Sequence, residues 1–391
     1  MIGILYSKTM LLHLIKGKRS FEKPSFYVET TREIGEEIIF LSLSDINWSK
    51  GTVRGWNGVD PIIIRRSLPD VIINRTRTNH PHTKMLIQRL KRMGKIVLNE
   101  QNVISKLEIH HILTKNNKLV PYLPETDSVT HHSVRDLLEH NTSLFLKPST
   151  ASVGNGIIRI RKINNKTVAE INILGRTKMY RVGINQIITM VKRKKRDYLV
   201  QGGVSLMKYN GNPVDFRVSM QKNGKGRWQY TGMVGRVAKK GSIVTNLHCG
   251  GQSLKATKLF EHWGWNSARI EGAVAKLGLR IAKTLEKEFP NIADLGLDIA
   301  LDESQHPWII EVNFRDLRIT FRDAGDKETW RSTFKTPIYY AAYLIKQIRE
   351  QQNTRGLDLN NSDLPDEHDI YRDENATPTE TVPELPSVLE S

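Results

Sequence analysis

The stretch that most constrains the fold is residues 295–313, LGLDIALDESQHPWIIEVN, which contains two runs of alternating apolar and polar residues. Alternation with a period of two is typical of a β-strand with one buried face. The polar segment between the runs predicts an antiparallel hairpin whose turn is centred between residues 304 and 305. In that register Asp298 lies opposite Glu311, and Asn313 shares their face of the sheet.

Two carboxylates in direct opposition on one sheet face repel each other, so a compensating positive charge is expected beside them. Asp298, Glu311 and Asn313 offer oxygen donors of the kind that Mg²⁺ binds, and Mg²⁺ usually shares its coordination with water and nucleotide phosphates. The hairpin therefore predicts a magnesium site. The alternative is that the register differs and that these residues form a solvated polar face.

The composition indicates a globular protein of two or three domains. The chain has 391 residues, of which 39% are apolar, and no uninterrupted apolar run approaches 18 residues, so no membrane span is predicted. The first residues carry Lys8 and His13 and lack a small-residue cleavage site, so no signal peptide is expected. Cys249 is the only cysteine, which excludes an intramolecular disulfide and favours a reducing compartment.

The net charge is strongly positive and unevenly distributed. The whole chain carries +18, but residues 355–391 contain ten acidic and two basic residues, a net charge of −8, so residues 1–354 carry +26. A surface of that charge attracts polyanions such as nucleotides, nucleic acids or acidic peptides. Charge alone does not choose among these partners.

Residues 1–105 are predicted to form a small α/β unit. Strands are expected at residues 1–6, 69–73 and 95–99, and a helix over residues 82–93 ends at Gly94. A strand–helix–strand order predicts a parallel pair of strands. Four arginines of this unit either bind an acidic substrate or form a solvated basic rim; they are Arg65, Arg66, Arg75 and Arg77.

A second informative stretch is residues 144–163, in which two predicted strands flank the small residues STASVGNG. Backbone amides in such a run can approach an anion closely, and Lys147 at its edge adds a positive charge. Lys106 lies in the first turn of a helix predicted over residues 105–115, an unfavourable end for a cation that suggests contact with a phosphate. Neither a Walker loop nor a dinucleotide-binding fingerprint occurs, and the alternatives are a plain turn and an ordinary surface lysine.

Polar residues also interrupt the later apolar strands. The strand at residues 198–203, YLVQGG, ends in a break at which two subdomains can hinge and which offers backbone groups to an adenine. Buried arginines need anionic partners. The polar positions that stand among apolar strand residues are Asp215, Arg217, Arg236 and Asn246.

Two helices are predicted in the last third of the chain. Residues 267–289 place apolar residues on one face of an amphipathic helix. A final helix is predicted to begin at Thr336 and Pro337, as N-cap and first position, and to end near residue 351. The remaining residues are polar, acidic and proline-bearing, which is typical of a disordered tail.

The order of these parts resembles the ATP-grasp superfamily. Lys106 is followed in turn by LPET, FLKP with its glycine-rich segment, YLVQGG, DFR, TNLHCGG, LGLDIA and IIEVN. The segments PDVIINR, PYLPET, GNPVDFRVSMQKNGKGRWQYTGMVGRVAKKGSIVTNL and WIIEVN are similar to those of the YheC/YheD endospore coat-associated family, which is related to RimK-like ligases. The resemblance covers about residues 1–350.

The resemblance implies an α+β fold, in which a pre-ATP-grasp α/β domain precedes two subdomains that clamp Mg-ATP. The predicted division is residues 1–105 for the pre-ATP-grasp domain, 106–200 for the first ATP-grasp subdomain with its glycine flap, 201–352 for the second with the metal site, and 353–391 for a disordered acidic tail.

The resemblance, carried over residue by residue, implies three groups of site residues. The nucleotide-binding residues are Lys106, Lys147, Ser149, Ser152, Gly154, Gly156, Gln201 and Gly202. The catalytic residues that face the phosphates are Arg217, Arg236 and Asn246, and the metal ligands are Asp298, Glu311 and Asn313. The implied cofactors are ATP and Mg²⁺, or Mn²⁺ in its place.

Two segments depart from the family pattern. Ser105 precedes Lys106 where the family usually has aspartate, and Phe314-Arg315-Asp316 stands where a Ser-Lys-Pro type of segment usually follows EVN. Neither departure removes a metal ligand. The second alters the loop beside the acceptor site, and with it the choice of substrate.

The implied activity is the joining of a carboxylate to an amine through an acyl phosphate, with Mg²⁺, lysines and arginines neutralising the transferred phosphoryl group. The basic chain suits an acidic small molecule, peptide or protein as substrate. The expected location is the cytoplasm of a spore-forming bacterium, with forespore or spore coat proteins as partners. The alternatives are a non-catalytic ATP-binding coat protein, a kinase on the same fold and, least favoured, a nucleic-acid-binding module with steep salt dependence.

Overall fold

The computed structural model describes residues 1–150, 156–163, 166–173, 176–194, 196–242, 245 and 250–361. The chain divides into two compact units, residues 1–347 and residues 348–391. Three β-sheets, each covered by helices, make up the first unit. The sheets follow one another along the chain, while the predicted domain boundaries stay a prediction.

The first sheet has a parallel centre and antiparallel additions at one edge. Its strands are β1 (Ile2–Leu5), β2 (Ile38–Leu41), β3 (Ile46–Asn47), β4 (Thr52–Trp56), β5 (Ile63–Ser67), β6 (Val71–Asn74) and β7 (Ile96–Leu98). The strand order is β3-β4-β2-β1-β6-β7, with β5 paired to β4. The helices are α1 (Lys8–Ile15), α2 (Pro24–Glu33) and α3 (Pro81–Arg92). The predicted strands and the helix that ends before Gly94 are confirmed, and β6 and β7 are parallel as predicted.

The centre of this sheet contains a topological switch point. The chain passes from β1 to β2 on one side, and later places β6 on the other side of β1. In open sheets of this kind, ligands bind beside the carboxyl ends of the strands at the point where the strand order reverses. Here that point lies between the ends of β1 and β6, where Arg75 follows the buried residue Asn74.

The second sheet is antiparallel and carries two helices. Its strands are β8 (Thr126–Ser128), β9 (Ser143–Pro148), β10 (Ile158–Ile163), β11 (Lys166–Ile173), β12 (Arg176–Arg181) and β13 (Tyr198–Gly202), in the order β12-β11-β10-β9-β13-β8. The helices α5 (His131–His140) and α6 (Ile184–Arg193) pack on it through a core that includes Val134, Leu146, Ile160 and Val191. Helix α4 (Lys106–Thr114) precedes the sheet and packs against the core of the third sheet.

The third sheet is also antiparallel, with the order β17-β16-β15-β18-β19 and β14 paired to β15. Its strands are β14 (Lys208–Tyr209), β15 (Asn212–Lys222), β16 (Trp228–Val237), β17 (Gln252–Lys255), β18 (Asp294–Leu301) and β19 (Pro307–Asn313). The helices are α7 (Ala256–His262), α8 (Ser267–Glu288), α9 (Ile319–Asp323) and α10 (Lys327–Asn361). Helix α8 buries the predicted apolar face, which comprises Ile270, Val274, Leu277, Ile281 and Leu285, against one side of the sheet.

Strand β18 was expected to have one buried face, and this expectation is wrong because all eight of its residues are buried. Its apolar residues lie in the core with α8. Its polar residue Asp298 is buried by partners on the opposite face, where Arg217 of β15 and Arg236 of β16 contact it. The alternating pattern of β18 therefore reflects two buried faces, one in the apolar core and one in a polar layer.

The predicted start of the last helix at Thr336 is also wrong, since α10 begins at Lys327 and contains Pro337 in its interior. A proline inside a helix removes the hydrogen bond to the carbonyl four residues earlier. In this helix that carbonyl belongs to Thr333, and it accepts a hydrogen bond of 2.8 Å from the Gln221 side chain of β15. A partner from the third sheet thus satisfies the group that the proline leaves open.

Helix α10 continues to Asn361, ten residues past the predicted end near residue 351. Residues 353–361, which were assigned to the disordered tail, belong to this helix. The rest of the predicted tail, residues 362–391, lies outside the described residues.

Candidate functional site

The candidate site is built on one face of the third sheet, where β15, β16, β18 and β19 place charged residues side by side. Arg217 of β15 pairs with Asp298 of β18, and Asp298 pairs in turn with Glu311 of β19. The predicted opposition of Asp298 and Glu311 is confirmed. Asn313 pairs with Gly296, two residues away on the same face.

The hairpin departs from the predicted register in two ways that cancel, so that Asp298 still pairs with Glu311. The turn is centred on Ser304, because Leu301 pairs with Pro307. Asp302 fixes this turn by accepting hydrogen bonds of 3.0 Å from the backbone N–H groups of Ser304 and His306. A β-bulge between Asp298 and Ile299, on the turn side of Asp298, then shifts the register by one residue and restores the pair with Glu311.

Two arginines neutralise the buried carboxylate of Asp298. Its Oδ1 accepts from Arg217 Nε at 2.8 Å, and its Oδ2 lies 3.0 Å from Arg236 Nη2. Burial alone would raise the pKa of Asp298, but the attraction of Arg217 and Arg236 outweighs that effect and lowers it. Arg236 also binds Asp215 through two hydrogen bonds, of 2.7 and 2.6 Å. The arginines identified from the sequence therefore have carboxylate partners within the sheet.

Asp316 is a site residue whose role the sequence did not indicate. Its side chain is fully buried, and its Oδ1 accepts from Arg217 Nη1 at 3.0 Å. Its Oδ2 is buried and has no hydrogen-bond partner among the residues that the structure describes. Gly296 makes room for it, because a Cβ at that position would lie 3.0 Å from the Asp316 carboxyl carbon. Asp316 thus gives Arg217 a second anion beside Asp298.

Two lysines bring positive charge to the same face. Lys106 Nζ lies 3.6 Å from Glu311 Oε1, and the Lys106 backbone N–H donates to the carbonyl of Ser149 at 2.9 Å. The N-terminus of α4 is therefore tied to the residue that follows β9 in the second sheet. This contact brings the predicted nucleotide residues Lys106 and Ser149 together beside the hairpin.

Lys147 of β9 is the more deeply buried lysine, with 9% of its surface exposed. Its Nζ donates to Gln201 Oε1 at 2.5 Å, and Gln201 Nε2 donates to Thr126 Oγ1 at 3.0 Å. Burial lowers the pKa of Lys147 from its ordinary 10.5 to about 8. Because the unfolded state binds more protons between those two values, this lysine makes the ligand-free protein more stable as the pH rises from about 8 to 10.5.

The glycine-rich segment is described only at its ends. Gly156 has a left-handed φ of 82°, and its carbonyl accepts a hydrogen bond of 3.1 Å from the Tyr198 hydroxyl. Gly202 donates its backbone N–H to the carbonyl of Glu125 at 2.8 Å. Ser152, Gly154 and Asn246 lie outside the described residues.

The donor atoms at the hairpin suit a hard cation. Asp298, Glu311 and Asn313 supply carboxylate and amide groups. Within the described part of the chain, the buried Nδ2 of Asn313 has no hydrogen-bond partner to fix which way the amide points. Within the described ranges no group of three or more His, Cys, Asp or Glu side chains is placed to hold a metal. A cation at this hairpin would therefore need further oxygen ligands, as Mg²⁺ does when it binds with nucleotide phosphates.

A buried ionic cluster, the Arg75 cluster, joins the first sheet to the third; it comprises Glu22, Arg75, Asp294 and Arg318. Arg75 donates to Glu22 Oε1 from Nε and Nη2, at 2.9 and 2.7 Å, and to the backbone carbonyl of Asp316 at 2.7 Å. Arg318 is fully buried, has a left-handed φ of 62°, and binds Asp294 and the Tyr27 hydroxyl. The cluster holds the loop between β19 and α9, which follows directly after Asn313.

Arg315 in that loop is only partly neutralised. Its Nη1 donates to the backbone carbonyl of Arg75 at 3.2 Å, and it forms no ion pair with the described residues. Burial and the like charge of Arg75 lower the pKa of Arg315 to about 10, with a smaller contribution from Arg77. Arg65 and Arg66, the other two arginines that the sequence singled out, lie exposed on β5.

A cavity of about 520 Å³ lies beside the first strand of the chain. It is bounded by residues that follow β1, by residues before α2 and by α9 of the third-sheet region; they include Ser7, His13, Arg19, Phe21, Ile319 and Arg322. No sequence motif marked it, because its walls come from segments about 300 residues apart.

No helix among the described residues combines the length and the hydrophobicity that a membrane span requires.

A sequence model of the YheC/D like ATP-grasp family matches residues 94–344. Endospore coat-associated protein YheD of Bacillus subtilis is 25% identical over 355 residues, which cover 84% of this chain and 76% of YheD. Endospore coat-associated protein YheC of the same organism is 25% identical over 294 residues, which cover 72% of this chain and 79% of YheC.

Solved structures show the same fold at low identity. The D-cycloserine synthetase DcsG is 12% identical with a TM-score of 0.53, over 89% of this chain and 99% of the synthetase. The D-alanine–D-alanine ligase of Bacillus anthracis, solved with ATP, is 12% identical with a TM-score of 0.50, over 90% of this chain and 98% of the ligase. At such identity the likeness establishes the fold alone.

Proposed function

This chain belongs to the YheC/D-like ATP-grasp family, and we propose that it is an ATP- and Mg²⁺-dependent ligase that joins a carboxylate to an amine. The observation that carries the proposal is the opposition of Asp298 and Glu311 beside Lys106 and Lys147. Two carboxylates and two lysines on neighbouring elements suit a metal-bound polyphosphate, because the carboxylates can bind Mg²⁺ and the lysines can bind the phosphates of Mg-ATP. The solved ligase structures support the proposal through their fold.

In this proposal the nucleotide lies between the second and third sheets. Lys106 and Lys147 contact its phosphates, while Gln201 and Gly202 at the end of β13 contact the adenine, with the Ser149–Gly156 segment over the phosphates. Asp298, Glu311 and Asn313 would hold Mg²⁺, or Mn²⁺ in its place, which when bound neutralises charge on the phosphates.

Arg217 and Arg236 have a second role in this proposal. Both pair with Asp298 in the ligand-free protein, and both have an additional carboxylate, Asp316 for Arg217 and Asp215 for Arg236. If the Asp298 carboxylate binds Mg²⁺ instead, each arginine keeps one anionic partner. Its remaining N–H groups can then donate to the transferring phosphoryl group. Asn246 is proposed as a further contact with this group.

The proposed reaction has two steps. An oxygen of the substrate carboxylate attacks the γ-phosphorus of ATP, the bond to the bridging oxygen breaks, and an acyl phosphate and ADP result. An amine then attacks the acyl carbon, loses a proton and displaces inorganic phosphate, which leaves an amide. Lys106, Arg217 and Arg236 stabilise the charge that spreads over the phosphoryl oxygens.

Hydroxylamine provides the test of this reaction, because it attacks acyl phosphates and leaves stable hydroxamates. The protein is incubated with Mg-ATP, hydroxylamine and pools of amino acids, peptides and spore coat extract, and ADP and hydroxamates are measured. We expect ADP and hydroxamate in equal amounts. A phosphorylated product formed without any amine would support a kinase instead, and tight ATP binding with no ADP in any pool would support a structural protein.

The biological setting is also proposed. YheD and YheC are named as endospore coat-associated proteins, so we place this chain in the cytoplasm of a sporulating cell, in contact with the forespore or the coat. An acidic peptide or protein is the favoured substrate because residues 1–354 carry a charge of +26. Fractionation of spores followed by immunodetection tests the location, and recovery of the protein only from vegetative cells would contradict it.

The affinity for the nucleotide should fall as the pH rises above about 8. Burial lowers the pKa of Lys147 to about 8, so at higher pH this side chain loses the charge that attracts a phosphate. We expect the affinity for Mg-AMPPNP, measured by titration calorimetry, to fall up to about tenfold per pH unit above that value. A Lys147→Arg variant retains its charge and should bind with little pH dependence. Identical pH profiles in the two proteins would contradict this role of Lys147.

A further inference from the structure

The cavity of about 520 Å³ beside the first strand has one wall on α1 and the segment after it. Helix α1 buries Leu11 and Leu14, while Met10 and His13 on the same helix line the cavity. The segment after α1 is tied back to the helix, because His13 Nε2 donates to the carbonyl of Arg19 at 3.0 Å. This wall is therefore held in place by contacts within the protein.

The Arg75 cluster anchors the rest of the lining. Phe21 lines the cavity and precedes Glu22, which the cluster holds through two hydrogen bonds of 2.9 and 2.7 Å. Ile319 lines the opposite side and follows Arg318, a fully buried member of the same cluster. A cavity that is already formed in the ligand-free protein is the usual form of a small-molecule site.

The lining combines an apolar surface with positive charge. Among the residues that the structure describes, no Asp or Glu side chain lines the cavity. Arg322 pairs with its neighbour Asp323 at 2.8 Å, but both side chains are partly exposed, so the pair contributes little and can be replaced. A ligand that matches this surface has an apolar body and a negative charge. The apolar lining residues are Met10, Phe21 and Ile319, and the ionisable ones are His13, Arg19 and Arg322.

The cavity adjoins the candidate transfer site through α9. Ile319 lies three residues after Asp316, whose Oδ1 accepts from Arg217 at 3.0 Å. Helix α9 also packs against β16, the strand that carries Arg236. A ligand in the cavity thus contacts the same short helix that packs on a strand of the candidate site.

We propose that the cavity binds a part of the substrate that consists of an apolar group and a carboxylate, and that this carboxylate is not the one that ATP activates. The assignment rests on the proposed ligase function. Carboxylates are the anionic groups of the acidic peptides favoured as substrates, and the planar fork of Arg19 or Arg322 binds a carboxylate through two parallel hydrogen bonds. Either substrate, the amine or the activated acid, can carry such a group.

The first experiment separates the apolar from the charged contribution. The wild-type protein, with and without Mg-AMPPNP, is titrated at constant ionic strength with 3-phenylpropionate, 3-phenylpropionamide and acetate, and binding is followed by calorimetry. We expect 3-phenylpropionate to bind at least about tenfold more tightly than the other two, because the amide lacks the charge and acetate lacks the apolar group. Equal affinity for the acid and its amide, or for the acid and acetate, would overturn the proposal.

A cavity-filling variant locates the site. Thr9 is exposed and lines the cavity, so Thr9→Trp should fill it and abolish the binding of 3-phenylpropionate. Leu12→Trp adds the same ring at an exposed position of α1 outside the cavity and should bind like the wild type. Binding that survives Thr9→Trp would place the ligand elsewhere and contradict the proposal.

Charge variants identify the group that holds the carboxylate. Arg19→Gln/Arg322→Gln should lower the affinity for 3-phenylpropionate to that of the amide and leave the affinity for the amide unchanged. Lys16→Gln/Lys18→Gln removes the same charge from exposed positions of the neighbouring segment and should keep the wild-type preference. A preference for the acid that survives in the arginine variant would overturn the role of these arginines.

Turnover distinguishes the two sources of the group. The protein is given Mg-ATP with either apolar amino acids and an acidic peptide pool, or 2-benzylsuccinate and hydroxylamine. A peptide that gains phenylalanine or leucine assigns the cavity to the amine substrate, and a benzylsuccinyl hydroxamate assigns it to the activated acid. Either product should be lost in Thr9→Trp and kept in Leu12→Trp.

The remaining results are also distinct. Binding of 3-phenylpropionate in the cavity with neither product, in a protein that forms ADP with other substrates, would overturn the substrate role. A wild-type protein that ignores Mg-AMPPNP and forms no ADP would refute the proposed ligase function, while the titrations without nucleotide would still test the cavity.

Discussion

Replacing Glu311 by glutamine should remove most of the stabilisation that Mg-ATP gives to this protein. A ligand at 100 times its dissociation constant stabilises a folded protein by about 2.7 kcal/mol, which is visible as a rise in the unfolding temperature. Loss of a metal-binding carboxylate is expected to weaken binding about 100-fold, which lowers the gain to about 0.4 kcal/mol. Thermal unfolding with and without Mg-ATP measures both values.

The ligand-free proteins make this comparison interpretable. The side chain of Glu311 is 25% exposed and 3.6 Å from Lys106, a geometry in which an ion pair contributes little to stability. The variant should therefore unfold at nearly the wild-type temperature when no ligand is present. Glu303→Gln, on the exposed turn of the same hairpin, is the matched control and should keep the full shift. An undiminished shift in Glu311→Gln would place the metal elsewhere.

Replacing Arg75 by methionine should destabilise the fold by about 3–5 kcal/mol, because it leaves buried anions without their partner. Arg75 binds Glu22 twice and also contacts Asp294 and the backbone of Asp316, and all three of these residues are buried. Unfolding in urea, with the midpoint and slope measured for both proteins, gives the difference in free energy. A loss below about 1 kcal/mol would show that water replaces the arginine.

A double-mutant cycle identifies the cause of that loss. Glu22→Gln in the Arg75→Met background removes the uncompensated charge and should recover part of the stability, so the two changes will not be additive. The pH gives a second control. Burial would raise the pKa of Glu22, but Arg75 and Arg318 lower it below 4.5. The stability that Glu22 gives to the wild type is thus lost as the pH falls below 4.5. Without Arg75 the pKa of Glu22 should instead lie above its value in the unfolded chain, so that lowering the pH would increase the stability of the variant.

The sequence predicted the elements that depend on local pattern. The alternation in residues 295–313 correctly indicated a hairpin with Asp298 opposite Glu311, and the apolar spacing in α8 identified its buried face. The helix α3 ends before Gly94, which has a left-handed φ of 76°. In each of these cases the signal lies within about 25 residues, where side-chain periodicity and turn chemistry determine the structure.

Features that depend on distant residues could not be predicted in the same way. Pro337 is tolerated inside α10 only because Gln221, from a strand more than 100 residues earlier, donates to the carbonyl that the proline leaves open. The role of Asp316 depends on Gly296 and Arg217, which lie beside it in the fold but far from it in the sequence. The sequence singled out Arg217 and Arg236 as arginines in need of anionic partners, but it did not indicate that these partners bury β18 on both faces.

The hydrogen bond between Arg75 and the backbone of Asp316 joins residues that are 241 positions apart. It has a consequence for protein engineering, since a boundary at residue 105 looks like a natural place to exchange modules between relatives. A chimera made there would combine the loop at 314–318 of one parent with the anchoring arginine of another. A productive exchange must therefore transplant residues 22, 75, 294 and 314–318 together.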